Sequence, residues 1–177
     1  DAYANLGVSY KNLGLYDSAL HFYRKSNDMA SQLKSNFLLA KNLHNIAVVY
    51  DELGNTEKAT ISFISSLEIC KLEHIPFGIF NNSINLGELL LNRGDMQQAI
   101  FYFMNAAKIG EEQNYDQLGL VFDLIHNAYA KAGNHEQALN YLRKYMHFND
   151  STQKAQKHSE IMELQTRYET KKKEAQI

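Results

Sequence analysis

Leu43-His44-Asn45-Ile46-Ala47-Val48-Val49-Tyr50-Asp51-Glu52-Leu53-Gly54-Asn55-Thr56-Glu57-Lys58-Ala59-Thr60-Ile61-Ser62-Phe63 is the stretch that decides the architecture. Its large residues Leu43, Ile46 and Tyr50 stand three and four apart, the spacing of one helix face. Gly54 then ends that helix, because glycine takes the left-handed C′ conformation without a side-chain clash. Glu57 places a carboxylate at the start of a second helix, where the helix dipole favours negative charge. Ala59 is the small contact on the second helix, and Phe63, four residues on, covers the next gap. The stretch predicts a helix, a tight turn and a second helix folded back on the first.

The pattern returns on both sides. Tyr3, Leu6, Gly7, Tyr10, Gly14, Ala19 and Tyr23 come before it. Ser83, Leu86, Gly87, Leu90, Gly94, Ala99 and Phe103 follow, and then Phe122, Ile125, His126, Tyr129, Gly133, Ala138 and Leu142. The small residue after Leu6, Ile46 and Leu86 lets the paired helix approach; in the fourth unit His126 stands there instead. One pair cannot bury its own apolar face, so four must stack into one elongated core. The units run over about 1–35, 36–75, 76–115 and 116–150, with a C-terminal capping or linker helix over 151–177. Nine helices are expected, at 2–13, 17–34, 36–53, 57–73, 77–93, 96–113, 116–132, 136–149 and 152–175.

This pattern resembles the tetratricopeptide repeat over nearly all of residues 1–150. The resemblance implies an all-α, right-handed α-α superhelix of four long helix-turn-helix repeats plus a C-terminal helix. The usual period is about 34 residues, against about 40 here. The interval from glycine to alanine stays at five, so the added residues lie outside the turn within each repeat.

Composition agrees with a folded helical chain. Of 177 residues, 45% are apolar and 21% charged, with a single proline, Pro76, placed for the first turn of a helix. A net charge of −2 argues against a nucleic-acid surface. No apolar run is long enough to insert into a membrane, and no signal peptide is visible. The chain starts without Met and opens directly into a repeat, so further repeats are expected upstream. Cys70, the one cysteine, reads as a small buried hydrophobe.

The site reading is of a binding surface, not a catalyst. There is no zinc-protease helix motif, phosphate loop, nucleophile elbow or paired-cysteine spacing, so no catalytic residue, metal or cofactor is expected. In the resembling family the first helix of each pair lines a concave groove. Asn5, Asn45 and Asn85 fall there at equal spacing, and each amide offers a donor and an acceptor to an extended peptide backbone. Leu124 breaks the ladder in the fourth repeat, with Asn127 one turn later as its substitute. Lys41, His44, Glu88 and Asp123 complete the candidate groove by the same register, with Val48, Asp51 and Lys131 as neighbours. Tyr10, Tyr50 and Tyr129 read as packing residues.

The tail adds a second resemblance. Asp150-Ser151 and Glu163-Leu164-Gln165-Thr166-Arg167-Tyr168-Glu169-Thr170-Lys171-Lys172-Lys173-Glu174 are similar to the segment joining such arrays to a membrane helix in sensor histidine kinases and transcription regulators of Bacteroidetes-type bacteria. That resemblance implies an extracytoplasmic sensor, part of an inner-membrane signal-transduction protein, that binds a peptide or protein segment. The other reading is a stand-alone, cytoplasmic scaffold or oligomerisation module with no groove ligand, which joins two copies through the open edge of the array or, as a homodimer, through its tail helix. Ser151 is read as a helix N-cap, with Ile161, Leu164 and Tyr168 as a narrow apolar stripe.

Overall fold

The computed structural model describes residues 2–174, with side chains as far as Lys154 and at Met162. Eight helices follow one another: α1 Ala2–Asn12, α2 Tyr16–Gln32, α3 Asn36–Glu52, α4 Thr56–Leu72, α5 Pro76–Asn92, α6 Met96–Gln113, α7 Leu118–Lys131 and α8 His135–Glu174. Each helix packs on the one before and the one after, building the α-α superhelix that the sequence predicts. Helices α2 to α5 are each 17 residues long, with three residues at each turn between them. Two helices and two turns therefore make the 40-residue period. The added length lies in the helices, and both kinds of turn stay short.

Gly14, Gly54, Gly94 and Gly133 adopt φ between 71° and 84°, the left-handed C′ conformation expected of them. The turns between repeats use the same conformation without glycine, at Lys34, His74 and Asn114. Asn55, Asp95 and Asn134 cap the second helices by accepting from the backbone N–H three residues on.

The interior follows the small-against-large pattern. Tyr23, Phe63 and Phe103 are at most 1% exposed. A Cβ added at Gly7 would run into the Tyr23 ring, and one at Gly87 into the Phe103 ring. His126 keeps its place by a different means: its Nδ1 lies 2.9 Å from the backbone oxygen of Ala138 on α8. Tyr10 stacks on Phe22 and Tyr129 on Tyr141, while Tyr50 bonds Arg24.

The Tyr23 hydroxyl is buried with no hydrogen-bond partner, and burial followed by the Glu52 charge pushes its pKa up to about 12. Phenylalanine fills this position in the next two repeats. Tyr23→Phe is expected to leave stability unchanged or raise it by up to about 1 kcal/mol, because it deletes an unsatisfied buried group. A lower urea midpoint in this variant would contradict that account.

The tail corrects one reading. The helices expected at 136–149 and 152–175 are a single helix, and Ser151 lies inside it instead of capping it. Nothing between Asn134 and Glu174 breaks a helix, since neither glycine nor proline occurs there. Thr152 donates to the Phe148 carbonyl four residues back, as a threonine within a helix does. The stripe of Ile161, Leu164 and Tyr168 lies outside the residues whose side chains are described.

Candidate functional site

The odd-numbered helices also touch their next-but-one neighbours, α1 with α3, α3 with α5 and α5 with α7, whereas among the described residues the even ones do not. Curvature brings elements together on its inner side, so the odd helices form the concave face. Asn5 lies on α1, Lys41, His44 and Asn45 on α3, Asn85 and Glu88 on α5, and Asp123 and Asn127 on α7. All eight are at least partly open to solvent.

The side chains of Asn5, Asn45 and Asn85 make no hydrogen bond within the described chain, and none holds a sealed, unsatisfied atom. Their amides are left for water or a ligand. Asn127 differs: its Nδ2 donates to Asp123 Oδ2 at 3.2 Å, so these two residues engage each other. Glu88 has its carboxyl pKa raised, first by burial and then by the Asp51 charge on the neighbouring odd helix.

A pocket of about 340 Å³ opens between α3, α4 and α5. Lys41, His44 and Asn45 line it, so three expected groove residues share one cavity. Phe37 and Phe77, 40 positions apart and more than half exposed, form its walls with Cys70, Gly78, Asn81 and Asn82. None of these six was marked by the groove register. The cavity's position has a packing reason. Eight residues apart across the three junctions between repeats stand Ala30 and Leu38, Cys70 and Gly78, and Gly110 and Leu118, and the last two pairs lie against each other. Only the middle junction lacks a leucine. A Cβ at Gly78 would collide with Cys70 Sγ, so this junction inverts large and small and leaves space beside them.

Below the pocket lies a buried polar network. Asn42 donates to Ser26 Oγ at 2.8 Å, and, 40 residues on, Asn82 donates to Ser66 Oγ at 2.9 Å. All four residues are at most 1% exposed. Ser66 donates on to the Ala40 carbonyl, and Asn82 also donates to that of Gly78. His44 Nδ1 lies 3.0 Å from Asn82 Oδ1. The ladder read from the sequence was thus one of two: a buried ladder of Asn42 and Asn82 runs three residues ahead of Asn45 and Asn85. The paired spacing of Ser26 with Asn42 and Ser66 with Asn82 was its signal in the sequence.

Burial, with the Lys11 charge as a smaller contribution, lowers the His44 pKa below its ordinary 6.5, against the Asn82 hydrogen bond, which raises it. The unfolded chain therefore takes up a proton near pH 6.5 that the folded chain still refuses. Stability contributed by neutral His44 is present above that pH and is lost as pH falls towards the lower folded pKa. The urea midpoint should drop between about pH 7.5 and about pH 5.5, and drop less in His44→Gln. Equal drops in both proteins would remove His44 from the account.

Cys70 is 3% exposed, and burial raises its thiol pKa, against a lowering hydrogen bond with Ser66. Among the described residues no group of three or more His, Cys, Asp and Glu could hold a metal ion, and no helix is long and apolar enough to cross a membrane.

A stack of helix pairs with an open inner face defines an α-solenoid of the kind that binds other proteins. A tetratricopeptide-repeat family model matches residues 1–71 and a second matches residues 83–111. The chain carries tetratricopeptide repeats. No curated protein matches it in sequence. Among solved structures it is similar to BtubC (BKLC) from P. vanneervenii, with a TM-score of 0.77 and 20% identity, covering 85% of this chain and 63% of that one. The apo form of RapI gives 0.79 and 18%, covering 86% and 56%. A Rap protein complexed with Competence and Sporulation Factor gives 0.72 and 20%, covering 82% and 41%. The chain thus spans under two thirds of each of these proteins, and at such identities the likeness shows the fold alone.

Proposed function

We propose that the chain binds an extended peptide or protein segment along its concave face, held by the amides of Asn5, Asn45 and Asn85. The observation that carries this is that three equally spaced amides on that face have no partner in the array. An amide donates and accepts, which matches the alternating groups of a peptide backbone whatever its side chains. The test is a thermal-shift screen of peptides, followed by affinity measurement on Asn45→Ala with Asn85→Ala. Two lost hydrogen bonds should weaken binding by about tenfold or more. Unchanged affinity for a peptide that does bind would overturn the groove reading.

The continuous α8 supports a further role in signalling. Its first part packs on α7 in the last repeat, and the same helix runs on to Glu174. A rigid helix transmits a shift of the last repeat to whatever follows it. With the tail resemblance, this supports a sensor portion of an extracytoplasmic, membrane-anchored two-component protein or regulator. The alternative of a scaffold dimerising through α8 is separated by light scattering with and without residues 151–177: a monomer in both forms counts against the scaffold.

A further inference from the structure

We infer that the pocket between α3, α4 and α5 is a selective subsite of the groove: it takes one large apolar side chain of the bound segment, while that residue's backbone N–H donates to His44 Nε2. This rests on the groove reading above. Asn82 donates from its Nδ2 to Ser66 Oγ at 2.9 Å and to the Gly78 carbonyl at 2.8 Å, with Cys70 Sγ farther off at 3.9 Å. Its Oδ1 must then be the acceptor towards His44, so the His44 proton sits on Nδ1. In a neutral imidazole the other nitrogen is an acceptor. His44 Nε2 has no hydrogen-bond partner in the described chain and is not among the sealed unsatisfied atoms, so this nitrogen of the half-buried ring keeps some contact with solvent. Asn82, at 1% exposure, is locked by its bonds and fixes this tautomer.

The cavity supplies the other half of the selection. Its walls are Phe37 and Phe77, the latter braced edge-on by Tyr115 at 5.8 Å, with Cys70 and Gly78 beside them. No carboxylate lines it. A volume of about 340 Å³ lies at the small end of ligand pockets and leaves room for a large side chain. Asn45 is both a ladder residue and a pocket residue, so a backbone held by the ladder passes over the mouth. That placement makes the occupant a residue within a chain.

The probe is N-acetyl-phenylalanine N-methylamide, titrated against the ¹⁵N-labelled protein. Saturable binding is expected, with His44 protonated on Nδ1 throughout and the Nε2 resonance moving on binding. The glycine analogue and free phenylalanine should bind at least about tenfold more weakly, since one lacks the side chain and the other the acylated N–H. Cys70→Gly with Gly78→Leu carries the side chains of the Gly110–Leu118 junction into this one; it should stay folded and lose binding by about tenfold or more. The inference is overturned if the free protein carries its proton on Nε2, if either control binds as tightly as the probe, or if the filled variant binds unchanged. The wild-type titration decides the matter should the filled variant not fold. If the probe fails while a peptide's affinity still depends on Asn45 and Asn85, the subsite is lost and the groove stands. If the probe binds and peptide affinity ignores those two residues, the groove reading is the one lost.

Discussion

Phe103→Ala is expected to lower the free energy of unfolding by about 3–5 kcal/mol, the range for truncating a fully buried phenylalanine. Phe103 is 0% exposed, and its ring lies where a Cβ on Gly87 would have to go. It belongs to the largest apolar cluster, which joins residues of α5, α6, α7 and α8. The gap cannot close by sliding α5 inward, because Gly87 has no side chain to follow the ring and neighbouring helices fix its backbone. In a stacked array a weakened unit also uncouples its neighbours. Urea unfolding should therefore show a lower midpoint together with a smaller slope or a second transition. Phe63→Ala in the adjoining, smaller cluster is the matched control, and should also cost several kcal/mol. A loss below about 1 kcal/mol at Phe103 would mean that the third repeat is not held by this ring.

The second large effect concerns Ser26 and Asn42. The pair is sealed between α2 and α3, and Asn42 Oδ1 has no partner. At the third junction, counting back from Ile125, which is aligned with Leu86, the equivalent positions are Ala106 and Val121, both 0% exposed and one residue nearer in sequence because the step to the fourth unit is a residue shorter. The fold thus accepts either a polar pair or an apolar pair there. Asn42→Val alone strands the Ser26 hydroxyl, and Ser26→Ala alone strands the Asn42 amide; each should cost about 1–3 kcal/mol. Changing both should return stability to within about 1 kcal/mol of the parent or above it, because no buried polar group is left unpaired. Denaturation of the four proteins gives the coupling directly. Strict additivity of the two single losses would show that the hydrogen bond contributes nothing.

Much of the fold was legible in the chain because the turns within repeats are marked by glycine and the helices by apolar spacing. Those signals are local, and the four left-handed glycines sit where they were expected. The turns between repeats carried no such mark, since Lys34, His74 and Asn114 hold the same conformation under the compulsion of the packed helices on either side. The tail was misread for a related reason. Asp150-Ser151 looks like a cap, but a cap acts only where the preceding helix stops, and no residue from His147 to Asn149 stops it.

The site was legible in outline. The register placed Lys41, His44 and Asn45 on one face, and the structure brings them to one pocket. Repetition identifies equivalent positions but not which of them the next repeat will cover. Asn42 and Asn45 are both repeated 40 residues later, and only the approach of α2 decides that one is sealed against Ser26 and the other left open.

The sequence by itself determined the helix pairs, their turns and their number, because periodicity and glycine act within a few residues. Tertiary structure alone decided which asparagines are buried, that one junction is hollow, and that His44 meets Asn82. Each of these depends on two or three helices meeting, and on the sum of side-chain volumes and hydrogen bonds at the place where they meet.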